Sequence, residues 1–121
     1  QYNTNSKVCW VAGFSFGAWV AMQLLMRRPE INGFVSVSPP ANLRDFSFLA
    51  PCPSSGLIVH GDKDNIASFD STKILAEKLQ KQKKVEIKFR AIKGADHFYE
   101  NFSEEFVSIV DGYIKENLKK I

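Results

Sequence analysis

The chain has 121 residues, 45% hydrophobic and 24% charged, a balance that excludes a disordered tail and allows one compact domain with a core of moderate size. Its net charge of +3 is too mild to argue for a nucleic-acid or membrane surface. No apolar run approaches the roughly 20 residues that span a bilayer, and nothing near Gln1 has the order of a signal peptide.

After the polar opening "QYNTNSK", the run "VCWVAGFS" is apolar without alternation, which predicts a strand covered on both faces and central in a sheet. Cys9 reads there as a small core residue. Neither it nor Cys52 falls in a disulfide or zinc pattern, so a reducing, cytoplasmic compartment is expected. From Phe16 to Arg28 the pattern is helical and apolar nearly all round, with Pro29 as the stop, so this helix is expected to be largely buried. The short run "GFVSVS" follows, then a Pro-containing segment from Pro39 to Pro53, then "GLIVHG", another unalternated strand.

Asp70 to Lys81 reads as an amphipathic helix with Ile74, Leu75 and Leu79 inward and Lys73, Glu77 and Lys81 outward. The basic stretch "KLQKQKK" is its solvated end and turn, and no aromatic residues interleave with the lysines as nucleic-acid platforms require. In "VEIKFRAI" Val85, Ile87 and Phe89 oppose Glu86, Lys88 and Arg90, which suits a sheet edge with one wet face. A last helix is expected from about Phe102 to Lys119, with Asn101 as cap, Glu104 three residues on, and Phe106, Ile109, Val110 and Tyr113 inward.

Strands alternating with helices predict a single α/β domain over the whole chain. It should be a mostly parallel sheet of about four strands with helices on both faces and polar groups collecting beyond the carboxyl ends of the strands. Three polar clusters should therefore meet on one rim: Ser15, the turn from His60 to Asp64, and the loop from Gly94 to His97. A serine hydroxyl needs a base within hydrogen-bond reach and a third group to orient that base.

The order Ser15, Asp64, His97 is the order of the α/β-hydrolase family, which the chain resembles from Val8 onward. "GFSFGA" resembles that family's nucleophile elbow, "HGDKD" its acid turn and "GADHF" its histidine loop. Within the family it is most similar to small, nearly cap-less bacterial hydrolases related to dienelactone hydrolase and short-chain esterases, and Pro40 to Cys52 is too short for a lid domain. The resemblance implies Ser15 as nucleophile, His97 as general base, Asp64 as the orienting acid, and the Phe16 N–H as an oxyanion donor. Gly13 and Gly17 would keep side chains out of the tight strand-to-helix crossing. It implies hydrolysis of a carboxylic ester or similar acyl bond of a small molecule, with no metal or organic cofactor. It covers only the second half of the family's fold: strands before the elbow, and a loop giving a second oxyanion N–H, are expected upstream of Gln1. As it stands, the first strand would be an unprotected apolar edge, a route to homo-oligomers.

Other residues compete for these roles. Asp62 shares the acid turn with Asp64, and His60 is the other histidine, expected to be buried and structural. Asp96 and Asp111 read as surface charges. Phe14, Trp19, Phe46, Phe48, Phe98 and Tyr99 are candidates for an acyl pocket or for plain core. Two other readings stay open: a catalytically silent hydrolase-like domain used for binding or assembly, and the catalytic half of a serine peptidase.

Overall fold

A computed structural model of the protein describes residues 8–118. Four strands, β1 (Trp10–Phe14), β2 (Gly33–Val37), β3 (Gly56–Gly61) and β4 (Ile87–Ile92), form one parallel sheet in chain order β1-β2-β3-β4. Three helices, α1 (Phe16–Arg27), α2 (Phe69–Gln80) and α3 (Ser103–Leu118), connect and follow them, with a short 3-10 turn at Ser47–Leu49. The register Phe14↔Val37, Val37↔Val59 and Gly61↔Ile92 brings the carboxyl ends of all four strands to one rim.

Alternate residues of each strand point to opposite faces, and two cores result. On one face Phe34, Ile58 and Ile87 pack under Met22 and Leu25 of α1 and Ala76 and Leu79 of α2. On the other, Val35, Val37, Leu57, Val59 and Ile92 lie against Tyr113 of α3 and the partly buried Phe106, Ile109 and Val110. Each fully buried aliphatic or aromatic side chain here contributes about 2 kcal/mol relative to exposure. The sheet with helices on both faces is a partial α/β-hydrolase fold.

Several local expectations are corrected. β1, apolar like a central strand, is outermost with no partner beyond it among the described residues, the open edge expected of the chain as it stands. Its flank is correspondingly open: Cys9 is exposed rather than core, and α1 buries only Ala18, Ala21, Met22 and Leu25, leaving Phe16, Val20 and Leu24 as an exposed stripe four residues apart. On α2 the inner face is Thr72, Ala76 and Leu79. Ile74 is 63% exposed because it lies about 200° round the helix from Thr72. α3 begins at Ser103, and Asn101 takes the left-handed conformation (φ 68°) instead of capping it. Lys119, the expected end of α3, lies outside the described residues. β4 is an edge as its charges predict, but its polar face is partly roofed by α3, where Lys88 Nζ is 3.3 Å from Glu116 Oε1. Among the described residues no helix is long and apolar enough to cross a membrane.

Candidate active site

β1 passes into α1 with a single residue between them. That residue, Ser15, has φ 57° and ψ −124°, a region that L-residues rarely occupy, and its N–H donates to the Val37 carbonyl at 2.8 Å. The bend closes because Gly13 has no side chain: a Cβ there would fall on the Gly17 carbonyl and within 2.8 Å of Ala18 Cα, all backbone that cannot swing aside. Gly17 departs from expectation, since a Cβ on it would meet nothing within 4 Å among the described residues. The tightness belongs to the strand side of the bend alone. Phe16 is the first residue of α1, so its N–H has no acceptor within the helix and stands beside Ser15 at the positive end of the helix dipole.

At the end of β3 the chain turns through Asp62 to Asp64. The Asp64 carboxylate is sealed, its side chain 0% exposed. Oδ1 accepts the N–H groups of Ile66 and Ala67, each at 2.8 Å, and Oδ2 accepts His97 Nδ1–H at 2.7 Å. Gly61 lets this turn approach the histidine loop, since a Cβ there would fall on the Ala95 carbonyl. With Nδ1 facing a carboxylate, His97 carries its proton there, which leaves Nε2 bare to accept from Ser15 Oγ at 2.9 Å. The His97 ring lies against Phe14 and edge-on to Phe98, with centroids 5.1 and 5.0 Å away.

His97 stands on residues 93–102, a loop shaped by left-handed conformations at Gly94, Tyr99 and Asn101 and tied down both from outside and from within. Asp62 Oδ1 accepts the Gly94 N–H at 2.7 Å, and Asp96 Oδ1 accepts those of Phe98 and Glu100 at 3.2 and 3.0 Å. The buried Tyr99 hydroxyl donates to the Val59 carbonyl at 3.3 Å and shares a 2.7 Å hydrogen bond with Ser38 at the end of β2. Burial pushes its pKa up to about 12, so it remains a donor.

The structure thus brings together Ser15, Asp64 and His97 and leaves Asp62 bonded to the loop backbone instead. Asp111 is paired on the surface with Lys115 at 3.1 Å. Of the aromatic set, Phe14 and Phe98 flank the site beside a groove of about 460 Å³ that they line with Ala12, Val37 and Phe106. Phe46 is buried in the core with Phe48 packed against it, while Trp19 docks the Pro39–Pro53 segment by donating Nε1–H to the Asp45 carbonyl at 3.1 Å. His60 is buried as expected, but its Nε2 lies 3.2 Å from Asp64 Oδ2, a contact that sequence reasoning missed. Asp62 and the Ser38–Tyr99 pair were likewise missed as supports of the histidine loop. Among the described residues no cluster of His, Cys, Asp or Glu is placed to hold a metal ion. What the arrangement can do is take a proton from Ser15 through Nε2 while Asp64 holds the resulting imidazolium.

Comparison with known proteins adds family context. The family model described as the dienelactone hydrolase family matches residues 1–120. An uncharacterized protein of Rickettsia prowazekii (strain Madrid E) is 49% identical over 118 residues, covering 94% of this chain and 50% of its own. The crystal structure of a protein of unknown function from Agrobacterium tumefaciens, described as a candidate α/β-hydrolase, is 52% identical with a TM-score of 0.92, covering 96% of this chain and 53% of its own. An α/β serine hydrolase homologue from Coxiella burnetii is 30% identical with a TM-score of 0.70, covering 83% of this chain and 46% of its own. The chain spans about half the length of each of these relatives.

Proposed function

The chain belongs to the dienelactone hydrolase family, and from that premise we propose that it supplies the C-terminal half of a serine hydrolase that cleaves carboxylic esters or similar acyl bonds of small molecules. The reading rests on one observation, the unbroken line from Ser15 Oγ to His97 Nε2 at 2.9 Å and from His97 Nδ1 to Asp64 Oδ2 at 2.7 Å. Ser15 Oγ attacks the acyl carbon as its proton passes to His97 Nε2, and the carbonyl π pair moves to oxygen, where the Phe16 N–H donates to the oxyanion. The tetrahedral adduct collapses, the bond to the leaving oxygen breaks, and that oxygen takes the proton from His97. Water then attacks the acyl-enzyme, giving its proton to Nε2, and Ser15 recovers it as the acid departs.

Asp64 supports both half-reactions by fixing the tautomer and holding the imidazolium. Treatment with a fluorophosphonate tests the reading. Intact mass should show one adduct, absent in Ser15→Ala, and ester turnover by the whole protein should fall in that variant by about four to six orders of magnitude. An adduct that persists in Ser15→Ala, or no adduct on the unmodified protein, overturns it.

A further inference from the structure

His60 presents a buried cost with no use in the mechanism above. Its side chain is 0% exposed, packed edge-on against Phe69 with ring centroids 5.9 Å apart. Nε2 faces the Ala67 carbonyl at 2.8 Å and Asp64 Oδ2 at 3.2 Å, both of which only accept, so the proton is on Nε2. Nδ1 is then a bare acceptor, and it has no hydrogen-bond partner among the described residues. A leucine or methionine would fill this place beside Phe69 without a stranded polar atom, so the ring calls for a reason beyond packing.

The reason lies in which oxygen it approaches. Asp64 Oδ2 is the same atom that accepts His97 Nδ1–H, and the two histidines meet it as opposite tautomers. Ala67 closes the arrangement, giving its N–H to Asp64 Oδ1 and taking the His60 N–H on its carbonyl. The carboxylate is thereby held by the N–H groups of Ile66 and Ala67 on Oδ1 and by His97 Nδ1–H on Oδ2, with the His60 N–H 3.2 Å from that same Oδ2. The positive end of the His60 N–H also draws charge from the oxygen that His97 uses.

We infer that His60 is a positioning residue for the proposed hydrolysis, acting through Asp64 to fix its carboxylate and temper its hold on protonated His97. This rests on the catalytic reading of Ser15, Asp64 and His97. The other titratable groups around the pair are turned elsewhere. Asp62 bonds Gly94, Asp96 bonds its own loop, Tyr99 bonds Ser38 and Val59, and Asp70 lines the surface hollow outside Asp64.

The test compares His60→Asn with His60→Gln. The glutamine amide nitrogen occupies the place of Nε2, whereas the asparagine nitrogen reaches only as far as Nδ1. Without the His60 N–H beside it, Oδ2 holds the protonated His97 ring more tightly. The acid limb of the fluorophosphonate labelling rate should move up by about half a pH unit in His60→Asn and return in His60→Gln. The downfield proton resonance of His97 Nδ1–H should move further downfield in His60→Asn alone. If Asn does not fold, as read by circular dichroism, His60→Leu takes its place in both measurements.

Limbs and resonances that coincide with the unmodified protein, or a uniform loss of labelling with no displacement, overturn the inference and leave His60 a packing residue. If the unmodified protein takes no label, the hydrolase reading fails, and the resonance alone then decides whether His60 acts on Asp64.

Discussion

The β1–α1 junction and the β4–α3 junction stand on the same rim and hold the two ends of one hydrogen bond, yet they are built on opposite plans. At the first, one strained residue joins strand to helix, and the absence of a Cβ on Gly13 makes the strain possible. At the second, residues 93–102 wander between strand and helix and are held by side chains that belong to other elements: Asp62 from the acid turn, Ser38 from the end of β2, and Asp64. Ser15 is placed by what its own backbone cannot do. His97 is placed by what its neighbours supply, so its position is the more easily tuned and the more easily lost.

Beyond Ser15 itself, the largest expected effect comes from cutting the histidine's support at its ring. Asp64→Asn should slow labelling and turnover about 10⁴-fold, because an amide cannot hold the imidazolium and favours the wrong tautomer. Asp62→Asn, which keeps an oxygen for the Gly94 N–H, should cost less than about tenfold. Equal losses in the two variants would remove the distinction between the carboxylates.

At the elbow, Gly13→Ala should destabilise the fold by about 3 kcal/mol in urea titration, since its Cβ meets backbone rather than a movable side chain. Tyr99→Phe, which strips the histidine loop of its ties to Ser38 and Val59, should cost about 1–2 kcal/mol. It should slow labelling while leaving Ser15 in place. Gly17→Ala should do the reverse of Gly13→Ala and stabilise by up to about 1 kcal/mol, because it lies in a helix and its Cβ meets open space. A loss at position 17 equal to that at 13 would show the constraint to be shared by both glycines.

The smallest effect is a pH effect that should separate the two junctions. Burial holds His60 below its ordinary pKa of 6.5, so below that pH the unfolded chain takes up a proton that the native protein resists. The stability from the neutral ring is complete above 6.5 and declines as pH falls toward the lowered native value. Hydrogen exchange at Gly94 and Ala95 should quicken over that range before exchange at Ser15 does. His60→Gln should flatten the difference.

The parts of the site that were legible in the sequence are those fixed by local chemistry. Two glycines about a serine at a strand-to-helix boundary, an acid just beyond a buried strand, and a histidine after the last strand can be read in order, and their register puts them on one rim. Asp64 rather than Asp62 followed from family spacing. What stayed hidden depends on which surfaces meet. Nothing in "HGDKD" tells that Asp62 will reach the Gly94 N–H or that His60 will face the oxygen His97 uses, since each needs the lateral register of β3 and β4. Periodicity likewise assigned Ile74 to the core because it recognises apolar residues but not the small Thr72 and Ala76 that let α2 settle on the sheet. The apolar outer stripe of α1 misled in the same way, reading as buried where the described residues place no neighbour.

The strand order has a consequence in time. Each strand of this sheet pairs with the one made just before it, so a chain leaving the ribosome adds β2 to β1, β3 to β2 and β4 last. Ser15 emerges 82 residues ahead of His97, and the elbow can bend as soon as β2 offers the Val37 carbonyl. On the proposed hydrolase reading, the hydroxyl has no base until β4 docks and reacts no faster than any other serine. On that reading residues 93–102 bring the arming step, and a nascent or truncated chain lacking them carries a bent elbow with an inert Ser15.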